Sequence, residues 1–408
     1  MLFDASSISP AELGRRLSGA RRSRNLSQEE AAQHLGVSRP TLVAMEKGTR
    51  PAKPEDIIAL AALYGRSVHE LVRKGTFVTG FAPQFRVTQA ADVSEEEAAK
   101  AVKEFQGACE DYAMLEDLLQ APMPRYQYPE TYTQDRLSPH AAAEEIAQLE
   151  RARLGLGQGP LANLLDAMEG DIGLRVFVLP LAEFRIAGMF YFTDRLGGCV
   201  LVNGTHPPTR QIWSLAHEYA HFLMDRYRED VTVLFEYDRK PRNEQFADSF
   251  AACFLMPGAG LRQRFRRIVQ SRGDFKVADL CWLADQYGVS VEAMTRRLES
   301  LGCVRRGMWE QLSRNVTVAE VQAHLGFGSR KAERLRLPER YRRLAVQAFE
   351  EEQITESELM RLLRCSRVES RETVETLTRT SEVAASGEPY QLDLDFGEIV
   401  DIDSLESV

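Results

Sequence analysis

The stretch Thr209 to Asp225, TRQIWSLAHEYAHFLMD, decides how this chain is read. Ile212, Leu215, Ala216, Tyr219, Phe222 and Leu223 recur at helical spacing, which predicts an amphipathic helix with a largely buried face. Thr209, following Pro207 and Pro208, is the expected N-cap. On such a helix His217 and His221 differ in direction by about 40° and in height by roughly 6 Å, so both imidazoles can reach one ion. Glu218, about 100° from His217, is poorly placed as a third ligand. Its carboxylate can instead take a proton from a water beside the metal, which makes it the candidate general base. The HExxH pattern alone also fits two histidines on an ordinary helix, so a second segment has to carry weight.

That segment is Asn243 to Pro257, NEQFADSFAACFLMP, which predicts another buried helix, stopped by Pro257. Glu244 and Asp248 lie four apart on one face. The small Ala251 and Ala252 let this helix approach the histidine helix, placing Glu244 as third ligand and Asp248 behind it, hydrogen-bonded to a histidine ring. Two histidines and a glutamate leave a fourth position open, the mark of a catalytic rather than a structural zinc. Asp225, Asp230 and Glu236 are weaker ligand candidates. Upstream, Leu174 to Leu179, Ala187 to Phe192 and Cys199 to Asn203 read as strands, the last two joined by a turn at residues 194–198. With helices on either side of them, the middle of the chain is α+β.

The strand ending Leu201-Val202-Asn203, then Arg210 to Asp225 with its HEYAH, then Glu244, Ala247-Asp248, Phe250-Ala251-Ala252 and Leu255-Met256-Pro257 resemble the ImmA/IrrE family of metallopeptidases across residues 140 to 300. The resemblance puts zinc ligands at His217, His221 and Glu244 and the catalytic acid at Glu218. It implies a gluzincin-like fold and the cutting of a protein, with a helix-turn-helix repressor as the expected substrate, in a stress, DNA-damage or mobile-element response. It further implies that residues 197 to 203 align an extended substrate through their backbone. A longer zinc motif with a third histidine fails, because Met224 stands in its glycine position and Tyr227 in its histidine position. No oxyanion donor is assigned; Tyr191 and His206 are candidates.

Toward the start, Leu26 to Gly48, LSQEEAAQHLGVSRPTLVAMEKG, has the register of helix, tight turn, helix. Ser27 caps the first helix, Gly36 permits the turn, Ser38 caps the second and Pro40 sits in its first turn. Together with Arg50-Pro51 and Ile57 to Leu71 this resembles the Xre/Cro-type helix-turn-helix over residues 11 to 72. The resemblance implies double-stranded DNA as a partner: Gln28 touching phosphate, Arg39 and Thr41 facing base edges beside Ser38, and Lys47 and Arg50 holding backbone. Two later stretches, Leu280 to Leu301 and Ile354 to Leu377, have similar spacing but read as packing elements.

The fold class is thus α+β multidomain. A helix-turn-helix domain over 1–75 is followed by a linker and helical connector over 76–138, with its proline-rich part from Pro122 to Pro129, and by a zinc metallopeptidase domain over 139–302. A helical region over 303–386 and an acidic tail over 387–408 complete the chain. In 408 residues the net charge is −9, yet Arg15, Arg16, Arg21, Arg22, Arg24, Arg39, Lys47, Arg50 and Lys53 crowd the front, so only the front suits phosphates. No apolar run approaches the roughly 20 residues of a membrane span, and Met1 to Pro10 lacks a signal-peptide pattern, so a cytoplasmic protein with no membrane partner is expected. Six scattered cysteines imply neither disulfides nor a cysteine zinc site. Three functions compete: a DNA-binding regulatory protease, a DNA-binding regulator or antitoxin whose metallopeptidase-like domain senses a signal without cutting, and half of a toxin–antitoxin pair. A homodimer is left open.

Overall fold

The computed structural model describes residues 9–22, 24, 26–64, 68–72, 95–122, 128–132, 138–193, 196–227, 232–234, 242–327 and 334–386. The proline-rich connector, the turn at 194–198, Asp230, Glu236 and the acidic tail lie wholly or partly outside these residues, as does the side chain of Asp225.

The chain opens with α1 (Pro10–Arg22), α2 (Gln28–His34), α3 (Arg39–Glu46), α4 (Pro54–Tyr64) and α5 (Val68–Val72). Leu13, Leu17, Ala31, Leu42, Leu60 and Tyr64 close a small apolar core between them. Ser27 and Glu30 form a reciprocal capping box at the start of α2, and Gly36 takes φ 66° in the turn, where a side chain would be strained. Ser38 departs from expectation. At the start of α3 its hydroxyl makes no cap bond and meets that of Thr41 at 2.9 Å. Two of the front's cations are also turned inward. Arg21 grips Glu46 at 2.6 and 3.1 Å, and Arg16 reaches Glu12 at 3.1 Å, so neither is available to phosphate.

After α6 (Glu95–Leu118), α7 (Pro139–Arg153) and α8 (Leu164–Asp166), a π-helical turn leads into a four-stranded sheet. Its strands are β1 (Arg175–Leu179), β2 (Gly188–Thr193), β3 (Gly197–Asn203) and β4 (Thr232–Leu234), in the order β1-β3-β2-β4. β3 runs parallel to β1 and antiparallel to β2, which pairs antiparallel with β4. One sheet face, with Val176, Phe190, Val200 and Val202, belongs to the main core. The other face carries α6: Arg175 pairs with Glu116 at 2.8 Å, Phe177 meets Tyr112 edge-on, and Cys199 and Cys109 hydrogen-bond to each other. Burying β1 and β3 on both faces explains their nearly unbroken apolar sequences.

α9 (Pro208–Asp225) lies on the core face of the sheet against β2 and β3, and α10 (Arg242–Leu255) packs against both α9 and α7. α9 begins at Pro208, one residue before the expected cap, with no side-chain cap at Pro207. A proline at the first helical position has no N–H to satisfy. Beyond α10 come α11 (Gly258–Arg272), α12 (Val277–Tyr287), α13 (Val291–Ser300), α14 (Met308–Asn315) and α15 (Val318–His324). Val178 and Arg336 then exchange backbone hydrogen bonds beside β1. The chain divides into two compact units, Met1–Pro338 and Glu339–Val408; the second holds α16 (Glu339–Glu350), α17 (Glu356–Leu363) and α18 (Arg367–Ser386). No helix among the described residues is long and apolar enough to cross a membrane.

Candidate metal centre and helix-turn-helix face

One turn of α9 and the start of α10 bring His217, His221 and Glu244 together, with one ligand atom of each lying within 4.8 Å of the others. His217 Nε2 is 3.2 Å from His221 Nε2 and 3.2 Å from Glu244 Oε2, and His221 Nε2 is 3.4 Å from Glu244 Oε1. All three side chains are buried. On its other side His217 Nδ1 donates to Asp248 Oδ1 at 3.0 Å, which turns the Nε2 lone pair toward His221 and Glu244. Lone pairs converging this closely in a buried space repel unless they share a proton or a cation, so the donor set fits a metal ion.

The electrostatics of the cluster follow from its burial. Burial disfavours charge on Glu244, but the adjoining His217 and His221 imidazoles outweigh it and hold the carboxyl well below the usual carboxylate range. Burial likewise opposes protonation of His217, and the carboxylates of Asp248 and Glu244 reverse the balance and raise its pKa. Glu218 behaves differently. It is wholly buried, neither carboxylate oxygen has a hydrogen-bond partner among the described residues, and burial pushes its pKa to about 7 against the pull of His221 and His217. A carboxyl near neutrality can both take and return a proton at physiological pH.

The backbone beneath these groups is held firmly. Leu215, Ala216, Tyr219, Ala220, Phe222 and Leu223 of α9 are buried, and Tyr219 meets Phe250 and Phe254 of α10 edge-on. Its hydroxyl donates to Glu150 of α7, a fully buried carboxylate that also accepts from Tyr132 at 2.9 Å and from Arg153 at 2.7 Å.

In the N-terminal helices, Arg39, Lys47 and Arg50 are exposed and Thr41 is half-buried beside Ser38. Gln28 donates to Glu46 at 2.9 Å, so a phosphate contact from it has to compete with that bond.

Residues 12–73 match the model of a helix-turn-helix domain, and residues 169–299 match that of the IrrE N-terminal-like domain. The chain thus carries an N-terminal helix-turn-helix domain followed by an IrrE-like domain. Over 49 residues it is 47% identical to the cryptic phage CTXphi transcriptional repressor RstR of Vibrio cholerae, a match covering 12% of this chain and 44% of that protein. The chain thus spans less than half of that relative's length. The crystal structure of ComR from Streptococcus suis aligns over 93% of this chain and 97% of its own at 11% identity, with a TM-score of 0.16, too low to indicate a shared architecture.

Three expectations for the IrrE-like domain need correction. Residues 197–203 form β3, which is paired on both sides, by β1 and β2, and so has no free edge for a substrate. Tyr191 alternates with Phe190 and Phe192, whose rings meet Phe222 of α9, so it points to the sheet's opposite face. His206 precedes α9, roughly 13 Å along the helix axis from His217, and its Nε2 is bonded to Phe184 O at 2.6 Å. Sequence reading also missed Glu150, Gly188 and β4. The alternating run Val231-Thr232-Val233-Leu234 carried a strand signal; Glu150 and Gly188 meet α9 only through the fold and left none.

Proposed function

We propose that this chain is a DNA-binding regulator carrying a zinc-dependent endopeptidase, with residues 1–75 reading DNA and residues 139–302 cutting a protein substrate such as a helix-turn-helix repressor. The observation that carries the reading is a buried trio of metal donors beside a buried carboxylate with no hydrogen-bond partner among the described residues. His217, His221 and Glu244 would hold the ion. A zinc ion there supplies a Lewis acid that polarises a peptide carbonyl and makes water acidic enough to attack near neutral pH. Asp248 fixes the tautomer and orientation of His217. Glu218 takes the proton of the attacking water and returns it to the departing amine. Among the described residues no strand pairs with the outer edge of β4, which makes that edge the place for an extended substrate to add a strand. The helix-turn-helix match over residues 12–73, together with the 49-residue likeness to a phage transcriptional repressor, supports DNA as the partner of the front and the cytoplasm as the compartment.

The test is Glu218→Gln, nearly isosteric but unable to accept the proton. It should keep about one zinc per chain, the fold and DNA affinity, while cleavage of helix-turn-helix repressors encoded nearby falls by about 10²–10⁴-fold. Cleavage at the wild-type rate would remove Glu218 as the base. Failure of wild type and variant alike to cut any of them would favour a regulator that senses without cutting.

A further inference from the structure

Gly188 opens β2, where its backbone pairs with Val202 of β3 on one side and Leu234 of β4 on the other. Its φ is not in the left-handed region, so conformation does not require a glycine there. Space does. A Cβ at this position would lie 2.8 Å from Glu218 Oε1, 3.2 Å from Glu218 Cγ and 3.2 Å from the backbone Leu201 O of β3, with the Glu218 carboxylate oxygen the tightest of the three. Neither partner can step back. The strand is tied on both sides, and α9 is wedged between the sheet and α10 with Leu215, Ala216, Tyr219 and Ala220 buried. The only part free to yield is the end of the Glu218 side chain.

We infer that Gly188 is a positioning residue: the place left by its absent side chain seats the Glu218 carboxylate and so sets where that group stands relative to His217, His221 and Glu244. The inference rests on the metallopeptidase reading of this site. A methyl group at residue 188 turns the carboxylate out of its seat while leaving the three ligands where they are.

The test needs no substrate. Cobalt(II) replaces zinc in such donor sets, and its visible absorption responds to hydrogen bonding at the open coordination position. Gly188→Ala should take up cobalt with wild-type stoichiometry and affinity within about threefold, yet show a shifted spectrum. Glu218→Asp, one methylene shorter, combined with Gly188→Ala should restore much of that spectrum. Thermal unfolding of the metal-free chain supplies a second readout, which holds even if Gly188→Ala folds poorly. The Tm lost on Gly188→Ala should be partly recovered in Gly188→Ala/Glu218→Ala, because the tightest clash is with that side chain while the contact with Leu201 O remains. Additive Tm losses in the double variant, or a Gly188→Ala spectrum identical to wild type, would overturn the assignment alone. A wild-type chain that binds no cobalt or zinc would overturn the metallopeptidase reading and this assignment with it.

Discussion

His217 is held from two directions, by Asp248 at Nδ1 and by its neighbours at Nε2. Removing the outer partner leaves the ring free to rotate and to change tautomer, so Asp248→Ala should weaken zinc binding by about 10–100-fold. Competition against a chelator of known affinity measures this, and an unchanged affinity would show that Asp248 plays no part in the site. Side chains that read bases and side chains that hold phosphate should separate in the same way at the other end of the chain. Arg39, exposed at the first position of α3, should cost about 1–3 kcal/mol on a selected operator when changed to alanine, with relaxed sequence preference. Arg50→Ala should weaken operator and random DNA alike. Binding titrations of both variants on both DNAs at fixed salt decide it, and equal loss on both for Arg39→Ala would take α3 out of base reading.

α7, α10 and α13 are joined by one ion pair: Glu144 of α7 meets Arg297 of α13 at 2.8 Å and accepts from the Cys253 thiol of α10. Burial raises the Glu144 pKa, but the Arg297 charge overcomes it and leaves the group below its ordinary value near 4.5. A carboxylate with a depressed folded pKa contributes stability above its unfolded pKa and loses it as pH falls through the folded one. Glu144→Gln should therefore be less stable than wild type at pH 7, by about 1 kcal/mol given that the Glu144 side chain is itself partly exposed, and the gap should shrink steadily below pH 4.5. Denaturant titrations at several pH values measure it; a gap independent of pH would mean the pair does not carry charge. The same local design can also serve different surfaces. Thr355 and Glu358 box the start of α17 as Ser27 and Glu30 box α2, and Arg364 adopts the left-handed turn conformation that Gly36 supplies. Yet Arg367 and Arg371 at the head of α18 both bind Glu356, which leaves that face less suited to phosphate than the exposed Arg39.

His217, His221 and Glu244, with Asp248, Glu150 and Gly188, all fall within Met1–Pro338, and none lies in Glu339–Val408. A chain ending at Pro338 should therefore keep the zinc stoichiometry of the full protein, measured by elemental analysis after gel filtration. Loss of zinc from a folded fragment would show that the C-terminal unit supports the site. The net charge of −9 conceals an uneven distribution. Arg16 and Arg21 are spent inside the N-terminal core, while Arg39, Lys47 and Arg50 stay exposed, so the surface field there is weaker than the residue count suggests.

What depends on neighbours along the chain could be read from residue order alone. The helical period of Thr209 to Asp225 put His217, Glu218 and His221 on one helix, and the four-residue step put Glu244 and Asp248 on one face of another. The Ser27 capping box and the Gly36 turn were equally legible, because each is closed by residues within four positions of one another. Which strand is interior came from the folded sheet, since β3 looks the same in sequence whether one side of it is paired or both. The fold also turned Arg16 and Arg21 inward and Tyr191 away from the His217, His221 and Glu244 side chains. And it set Glu150 under Tyr219 and Gly188 under Glu218, contacts made across 69 and 30 residues of chain. Short-range spacing fixes which side chains can share a helix face; which surface that face meets depends on how sheet and helices close over one core, and no local period records it.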